Sequence, residues 1–517
     1  MKIRIMPEIL LNEDGSMQED GLVRLKLVKT ISGRELIDCL SNGIDACIGN
    51  LKGQISCYDK SSLFNTWFHF VRLVEEFINI RYELGETYES LSKRIHFENE
   101  CEMDLISSFV EETFGKEVLK NFQEIAYLFA GFGYTDVIDE IEVEQRIETI
   151  HDLLVYLQGR RLHIMTILNM IPEYAKGETL FSLTDVKTKM NEWIKGYLMI
   201  ITLGCQAILE AKCLPDFYGE VTPLGIKFSH HYTHLEDMFL EPQRLTILDL
   251  EKYRSMRFEE RKTKNNKSIC SMEEYDIMLH NDALYYEKYG VQQNKIYQSL
   301  VAFMNEMKPF FIDDYLIEVQ QKDFELLCQR HRELELYREL DDFYDLQNSR
   351  YGFVRMNDAY YSTFFMLIRF YVNYLNIIFR RNKTCQIDSG YIFEDKVKEA
   401  VSKYGFEVQD GCKRIDHKEF DVVCIKDGTI YNFQCKNNYM SVSSIGVKES
   451  DIASRYNRRL TRYYEDALKK ERKREQLLKD KLEIDKIQHY VISRFPVVTD
   501  NKYIIPFNRL EDWLIGN

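Results

Sequence analysis

The first 30 residues alternate apolar and polar side chains, as KIRIM and then as LVRLKLV after Asp14-Gly15. This pattern predicts a short β-hairpin over residues 1–30 leading into a helical region. From Ser32 to about Arg381 the period becomes that of a helix. Phe64, Trp67, Phe68, Val71, Leu73, Val74 and Phe77 form one apolar stripe, and Ile147, Ile150, Leu153, Leu154 and Leu157 form another. Further long helices are predicted over 185–210, 273–289 and 323–345. No repeat of roughly 20–50 residues recurs, which argues against a solenoid. Only 8 prolines interrupt the 517 residues, as long helices with short connections require.

The pattern changes after Arg380-Arg381-Asn382-Lys383, which sets a boundary at about residue 385. A helix starting near Asp388-Ser389 places Phe393, Val397, Ala400, Val401 and Tyr404 on one face and ends at Gly405. A strand over 406–409 and a polar loop over 411–417 follow. Then comes EFDVVCIKDGTIYNFQCKNN, in which Asp427-Gly428 separates two β-rich runs and predicts a two-residue type I′ turn. Such a turn fixes register, because facing residues lie equally far from it. Asp421 then faces Gln434, and Glu419 faces Lys436. Gln434 and Lys436 project to one face, and Tyr431, Phe433 and Cys435 to the other. A single helix is predicted over 451–482 and a closing strand over 486–495.

Length allows roughly two to four domains. The hydrophobic and charged fractions, 45% and 29%, are those of a folded chain. The net charge of −15 excludes a protein that coats nucleic acid over its whole surface. That charge is uneven. Residues 386–517 carry 24 Lys and Arg against 22 Asp and Glu, a net of +2, leaving residues 1–385 at −17. Attraction to phosphates is therefore expected in the C-terminal part.

The 12 cysteines are scattered with no C-x-x-C pair, which disfavours a zinc ribbon. With no secretory pattern at the start, a reduced, cytoplasmic protein is expected. Two stretches, 196–211 and 362–379, approach the apolarity of a membrane span. The first is short for a bilayer and the second contains Arg369, Asn373 and Asn376, so buried core helices and no membrane partner are expected.

The hairpin carries the candidate chemistry. A carboxylate (Asp421), an amide oxygen (Gln434) and an ammonium (Lys436) converge on one patch, with Glu394 at the edge of the preceding helix. Oxygen ligands of this kind suit Mg²⁺ or Mn²⁺, and a lysine beside them can stabilise developing negative charge or help deprotonate water. Phosphodiester hydrolysis uses such parts. No Ser or Cys nucleophile sits convincingly beside a His. On the long helix, Arg455, Arg458, Arg459 and Arg462, then Lys469 and Lys470, alternate with Tyr456, Tyr463 and Tyr464. They form either a track for a phosphate backbone or a solvated face paired with Glu465, Asp466, Glu471 and Glu475. The basic run 261–267 reads as a surface loop. His230, His231 and His234 with Glu236 and Asp237 have zinc-like spacing but no HExxH, and read better as a surface or core cluster. AGFGY (130–134) and 196–204 lack the context of a phosphate loop.

Glu394, Asp421 and Gln434-Cys435-Lys436, on a helix–strand–hairpin frame, resemble the PD-(D/E)XK nuclease superfamily, and within it the Mrr-type restriction endonucleases, where Gln replaces the second acid. The likeness covers about residues 388–500. No proline precedes Asp421, and the next helix lacks the Gln-x-x-x-Tyr of RecB-like members. The resemblance implies an αβββαβ core that binds divalent metal and cuts phosphodiester bonds, usually in DNA. It implies Asp421 as principal metal ligand, Gln434 as second ligand or orienter, Lys436 as catalytic lysine and Glu394 as accessory ligand. The expected fold class is α+β and multidomain, with a mostly α-helical region over 31–385 of unassigned role and a restriction-endonuclease-like α/β domain over 386–517. The expected function is a Mg²⁺-dependent endonuclease, with DNA ahead of RNA as partner, homodimerisation, and by analogy a place in host defence or DNA processing. An RNA-cleaving effector and a non-catalytic scaffold are the alternatives.

Overall fold

The computed structural model describes residues 2–3, 29–138, 141–222, 225–229, 279–280, 282–283, 286–339, 352–379, 381–438 and 450–516, with only the backbone described at 2–3, 81–83, 135–138, 141–143 and 222. The protein is mixed α/β: mainly helical through its N-terminal region, with several small sheets. It divides into two compact units. One comprises Met1–Lys2, Ile44–Ile201 and Glu259–Arg381; the other comprises Ile3–Gly43, Thr202–Phe258 and Asn382–Asn517. The C-terminal segment thus shares its unit with two upstream segments, which a boundary placed only near residue 385 does not anticipate. One tie is local: Lys212 Nζ pairs with Asp451 at 2.8 Å and donates to Ser450 Oγ at 2.6 Å.

In the first unit, the helices Lys60–Ser92, kinked at Gly85, and Ile150–Tyr174 bury the two stripes read from the sequence. Trp67 Nε1 satisfies its polar edge on the carbonyl of Ile164 at 2.9 Å, so a large ring can be fully buried at no hydrogen-bonding cost. Among the described residues, three sheets interrupt the helical period of the region between Ser32 and Arg381. Gly133–Ile138 pairs with Ile141–Arg146, Leu316–Gln320 with Ala359–Thr363 and Val354–Met356, and Tyr218–Thr222 with Lys29–Ser32 and Gly225–Phe228. The last of these places Lys2–Ile3 and Lys29–Ser32 in one sheet without making them neighbours; LVRLKLV lies outside the described residues. The helix predicted over 323–345 spans Gln321–Arg330, beyond which the buried positions His331, Leu334 and Leu336 no longer follow a helical face. Most of 273–289, the basic run 261–267 and the histidine cluster also lie outside the described residues.

The run Leu183–Cys213 is, among the described residues, the one long and apolar enough to cross a membrane, and 61% of its apolar window is buried within the protein. In 362–379 the helix begins only at Phe364 and has 16 residues, with Arg369 buried.

The C-terminal segment builds the frame of the candidate site. Its first helix, α1 (Lys383–Lys403), begins earlier than Asp388, because Asn382 Oδ1 accepts from Cys385 N at 3.0 Å. It ends as expected at Gly405, whose φ of +81° only glycine adopts freely. Then come β1 (Glu407–Val408), β2 (Val422–Lys426), β3 (Thr429–Lys436), α2 (Ser450–Lys473), α3 (Glu475–Leu482), β4 (Ile487–Ser493), β5 (Ile504–Pro506) and α4 (Leu510–Ile515). The sheet order is β1-β2-β3-β4-β5. β1, β2 and β3 run antiparallel in turn; β3–β4 and β4–β5 are parallel. A parallel step needs a crossover, which α2 and α3 supply. The single helix predicted over 451–482 breaks at Arg474, and β5 and α4, absent from the sequence expectation, extend the sheet beyond its predicted last strand.

The β2–β3 turn has φ of +48° at Asp427 and +67° at Gly428, the left-handed pair of a type I′ turn. The ladder runs from Lys426↔Thr429 to Val422↔Phe433, the register that this turn dictates. Tyr431 and Phe433 pack on one side with Phe393, Val397, Val401 and Phe406 of the α1 layer, while Val491 joins Leu460, Tyr464 and Leu468 of α2 on the other. Gly428→Ala is expected to cost roughly 1 kcal/mol through its left-handed backbone, whereas Asp427→Asn is tolerated there. Calorimetric melting of both variants checks this, and a Gly428→Ala midpoint equal to that of the parent protein would deny the turn its role in fixing the register.

Candidate active site

Asp421 lies one residue before β2, where the antiparallel ladder has just ended, so its carboxylate can fold across the strand end. Gln434 Nε2 and the backbone N–H of Cys435 both donate to Asp421 Oδ2, the latter at 2.8 Å. Gln434 is buried, while Asp421 and Lys436 are half-buried. The aspartate, the glutamine and the lysine thus meet on one face of the sheet. Glu419 does not face Lys436. It pairs with Arg414 in a separate small hairpin, Arg414–Ile415 with Lys418–Glu419, whose turn residues Asp416 and His417 also have positive φ. Continuing the β2 register past Asp421 fails because this second turn redirects the chain.

Burial pushes the Asp421 carboxyl up to about 6. The Lys436 ammonium opposes this strongly, and the Glu394 charge adds to it. Glu394, on α1, is raised by its own burial against the pull of Lys413, to which it is ion-paired at 3.3 Å. Two carboxylates are thus each held above their ordinary range, and Asp421 feels both the Glu394 charge and the Lys436 ammonium. A divalent cation would relieve both at once. Among the described residues no three carboxylate, histidine or cysteine side chains gather into a ready-made cage. A cation here would meet two carboxylates and one amide, a set that suits Mg²⁺ or Mn²⁺ better than zinc, since such ions keep several waters. Presenting Gln434 Oε1 to a cation requires turning over the amide that now gives its nitrogen to Asp421.

The chain matches no protein-family model, none of the curated proteins and none of the solved structures.

Of the basic residues singled out, Arg455, Arg458, Arg459, Arg462, Lys469 and Lys470 are all exposed on α2. Helical geometry divides them: Arg455, Arg462 and Lys469 recur every seven residues on the outermost face, Arg459 and Lys470 lie on one flank, and Arg458 lies on the other. Lys469 pairs with Asp466 at 3.0 Å. Of the acids expected to neutralise the rest, Glu471 and Glu475 turn elsewhere. Glu471 is buried and holds Arg474 at 2.6 Å, and Glu475 holds Lys479 and His489.

Two polar chains around the site were not singled out from the sequence. In the first, Asn432 Nδ2 donates to Glu471 Oε2 at 2.9 Å and meets His489 Nδ1 at 3.2 Å, while Arg474 also donates to the carbonyl of Glu419 at 2.6 Å. This ties α2, β3 and β4 to the segment that carries Asp421. In the second, Arg494 donates to Asn437 Oδ1 at 2.7 Å, and Asn437 donates to Ser389 Oγ at 2.8 Å, linking the ends of β4 and β3 to the helix that carries Glu394. The available signal was parity: Asn432 lies two residues before Gln434 and so shares its face.

The Asp421 shift has a sign that can be tested. Its folded value, about 6, exceeds the unfolded value near 3.9. The folded state therefore holds the proton between those values, and this contribution to stability is lost as pH rises through about 4 to 6. In metal-free buffer, Asp421→Asn, which keeps an oxygen for the Cys435 N–H, should melt higher than the parent protein at pH 8, with the gain fading below about pH 4. Coincident melting curves at pH 8 would contradict a buried, charge-strained carboxylate.

Proposed function

We propose that the C-terminal segment is a restriction-endonuclease-like, divalent-metal-dependent phosphodiesterase of the PD-(D/E)XK type, acting as an endonuclease with DNA as substrate. The observation that carries this reading is the meeting of Asp421, Gln434 and Lys436 at one strand end, with Glu394 close enough to raise the Asp421 carboxyl. The element order α1-β1-β2-β3-α2-α3-β4, antiparallel through β3 and then parallel, supports it as a version of the αβββαβ frame that the sequence resemblance implies, with the crossover helix broken in two.

Asp421 and Glu394 would hold a Mg²⁺ or Mn²⁺ ion, with the Gln434 amide as a neutral third oxygen. Such an ion, when bound, polarises a phosphoryl oxygen and acidifies a bound water. The remaining work falls to the chain. The Cys435 N–H and the Gln434 amide fix the orientation of the Asp421 carboxylate. Lys436 places an ammonium where negative charge grows on the phosphoryl oxygens, and can shuttle a proton to or from the attacking water. The exposed arginines and lysines of α2 add salt-dependent attraction for the backbone phosphates. Cutting both strands of a duplex would call for two copies of the chain.

A non-catalytic scaffold is the second reading. What favours it is that Glu394 is already paired with Lys413, and that Gln434 gives nitrogen to Asp421 where a cation needs oxygen. The test incubates the purified protein with supercoiled plasmid DNA, and in parallel with single-stranded DNA and with RNA, in Mg²⁺ or Mn²⁺, beside Lys436→Ala. Cutting of either DNA that falls by about 100-fold or more in the variant is the expected result. Equal cutting by both proteins, or none by either, removes the nuclease assignment, and cutting of RNA alone moves the substrate to RNA.

A further inference from the structure

The flank of α2 that faces the candidate lysine carries an aromatic pattern that hydrolysis alone does not require. Tyr463 is 51% exposed, yet its ring is not loose: Lys436 Nζ lies 5.8 Å from its centroid, and the fully buried ring of Tyr464 lies 5.8 Å away behind it. Seven residues earlier, and so on the same flank, Tyr456 is half-buried with the Arg459 guanidinium 4.8 Å over its ring. Arg459 falls between the two tyrosines, and exposed Lys470 lies seven residues beyond Tyr463. The two rings are spaced by about 10 Å along the helix axis. In this aromatic–cation–aromatic–cation row, the second ring, Tyr463, lies beside the group proposed to act on the phosphate.

We infer that Tyr463 is a stacking platform for an unpaired nucleobase next to the scissile phosphate, so that the strand this site takes is single-stranded, whether a DNA or an RNA. The inference rests on the nuclease reading for the word scissile, but the binding it describes stands apart from catalysis. In a duplex both faces of each base are covered by neighbours, and exposing one costs unstacking. Cations on a helix attract either form through the phosphates. A half-exposed ring held beside them adds a contact only an unstacked base can make, and it accepts any base because all have a π-face. Lys436 against Tyr463 keeps that ring at the mouth of the site and aligns the base with the phosphate beside it.

The experiment measures binding of the full-length protein to a fluorescein-labelled 20-nucleotide single strand, as DNA and as RNA, and to the matching duplex, by anisotropy in EDTA at fixed salt. Tyr463→Ala is expected to weaken single-strand binding by about 5- to 150-fold and duplex binding little, with Tyr463→Phe close to the parent protein. Unchanged melting temperatures in both variants separate stacking from folding. The inference is overturned if Tyr463→Ala binds the single strand as tightly as the parent, or if Tyr463→Phe loses as much as Tyr463→Ala, or if the duplex binds as tightly as the single strand. Stronger loss for one of the two single strands assigns the sugar. The same preparations assayed with Mg²⁺ and Lys436→Ala keep the two readings apart: Tyr463-dependent binding without Lys436-dependent cutting upholds the platform and discards the hydrolysis.

Discussion

The site depends on one covalent constraint, the two-residue bend at Asp427-Gly428. With both residues in the left-handed region, the bend leaves a single register for the strands it joins, and every facing pair from Lys426↔Thr429 to Val422↔Phe433 obeys it. A slip of one residue would carry Tyr431 and Phe433 out of the α1 core and put Asn432 and Gln434 into it. The apolar packing and the polar patch are therefore two consequences of one turn, on opposite faces of the same strand.

Polar groups around that strand are arranged to hold charge in a place where charge is costly. Asp421 is clamped by a backbone N–H, a side-chain amide and a nearby ammonium, and still remains well above its ordinary range because burial outweighs them. Behind it, Asn432, Glu471, Arg474, Glu475 and His489 are linked by hydrogen bonds and ion pairs that leave Asn432 Oδ1 without a partner, and Arg474 reaches the carbonyl of Glu419 just upstream of the aspartate. Each of these bonds matters, because a buried member that lost its partner would be left with an uncompensated polar group.

Local chemistry was legible in the sequence, and long-range partnership was not. The apolar stripes of Phe64–Phe77 and Ile147–Leu157, the Gly405 helix end and the Asp421–Gln434 facing all follow from periodicity or turn rules that act over a few residues. The small sheets of the N-terminal region escaped because their strands are short and sit among helices. Tyr218–Thr222 finds Lys29–Ser32 across more than a third of the chain, a pairing no window of sequence contains. The α1 start was misplaced because Asp388-Ser389 has N-cap chemistry in the middle of a helix that Asn382 had already capped. Glu419 was assigned to the wrong partner because a second tight turn, at Asp416-His417, lies beneath a stretch that reads merely as a polar loop.

Parallel pairing of β3 with β4 has a consequence for how the molecule comes into being. The hairpin bearing Asp421, Gln434 and Lys436 is local and can close within microseconds of leaving the ribosome. Its open edge is covered only after the whole of α2 and α3 has been synthesised and β4 has arrived from Ile487 onward. Until then the nascent chain displays a row of unpaired backbone amides and carbonyls, the kind of edge on which misassociation begins. Translation order thus leaves this sheet two strands short during its most exposed interval, and a chain stalled before Ile487 would carry the patch without the scaffold that orients it.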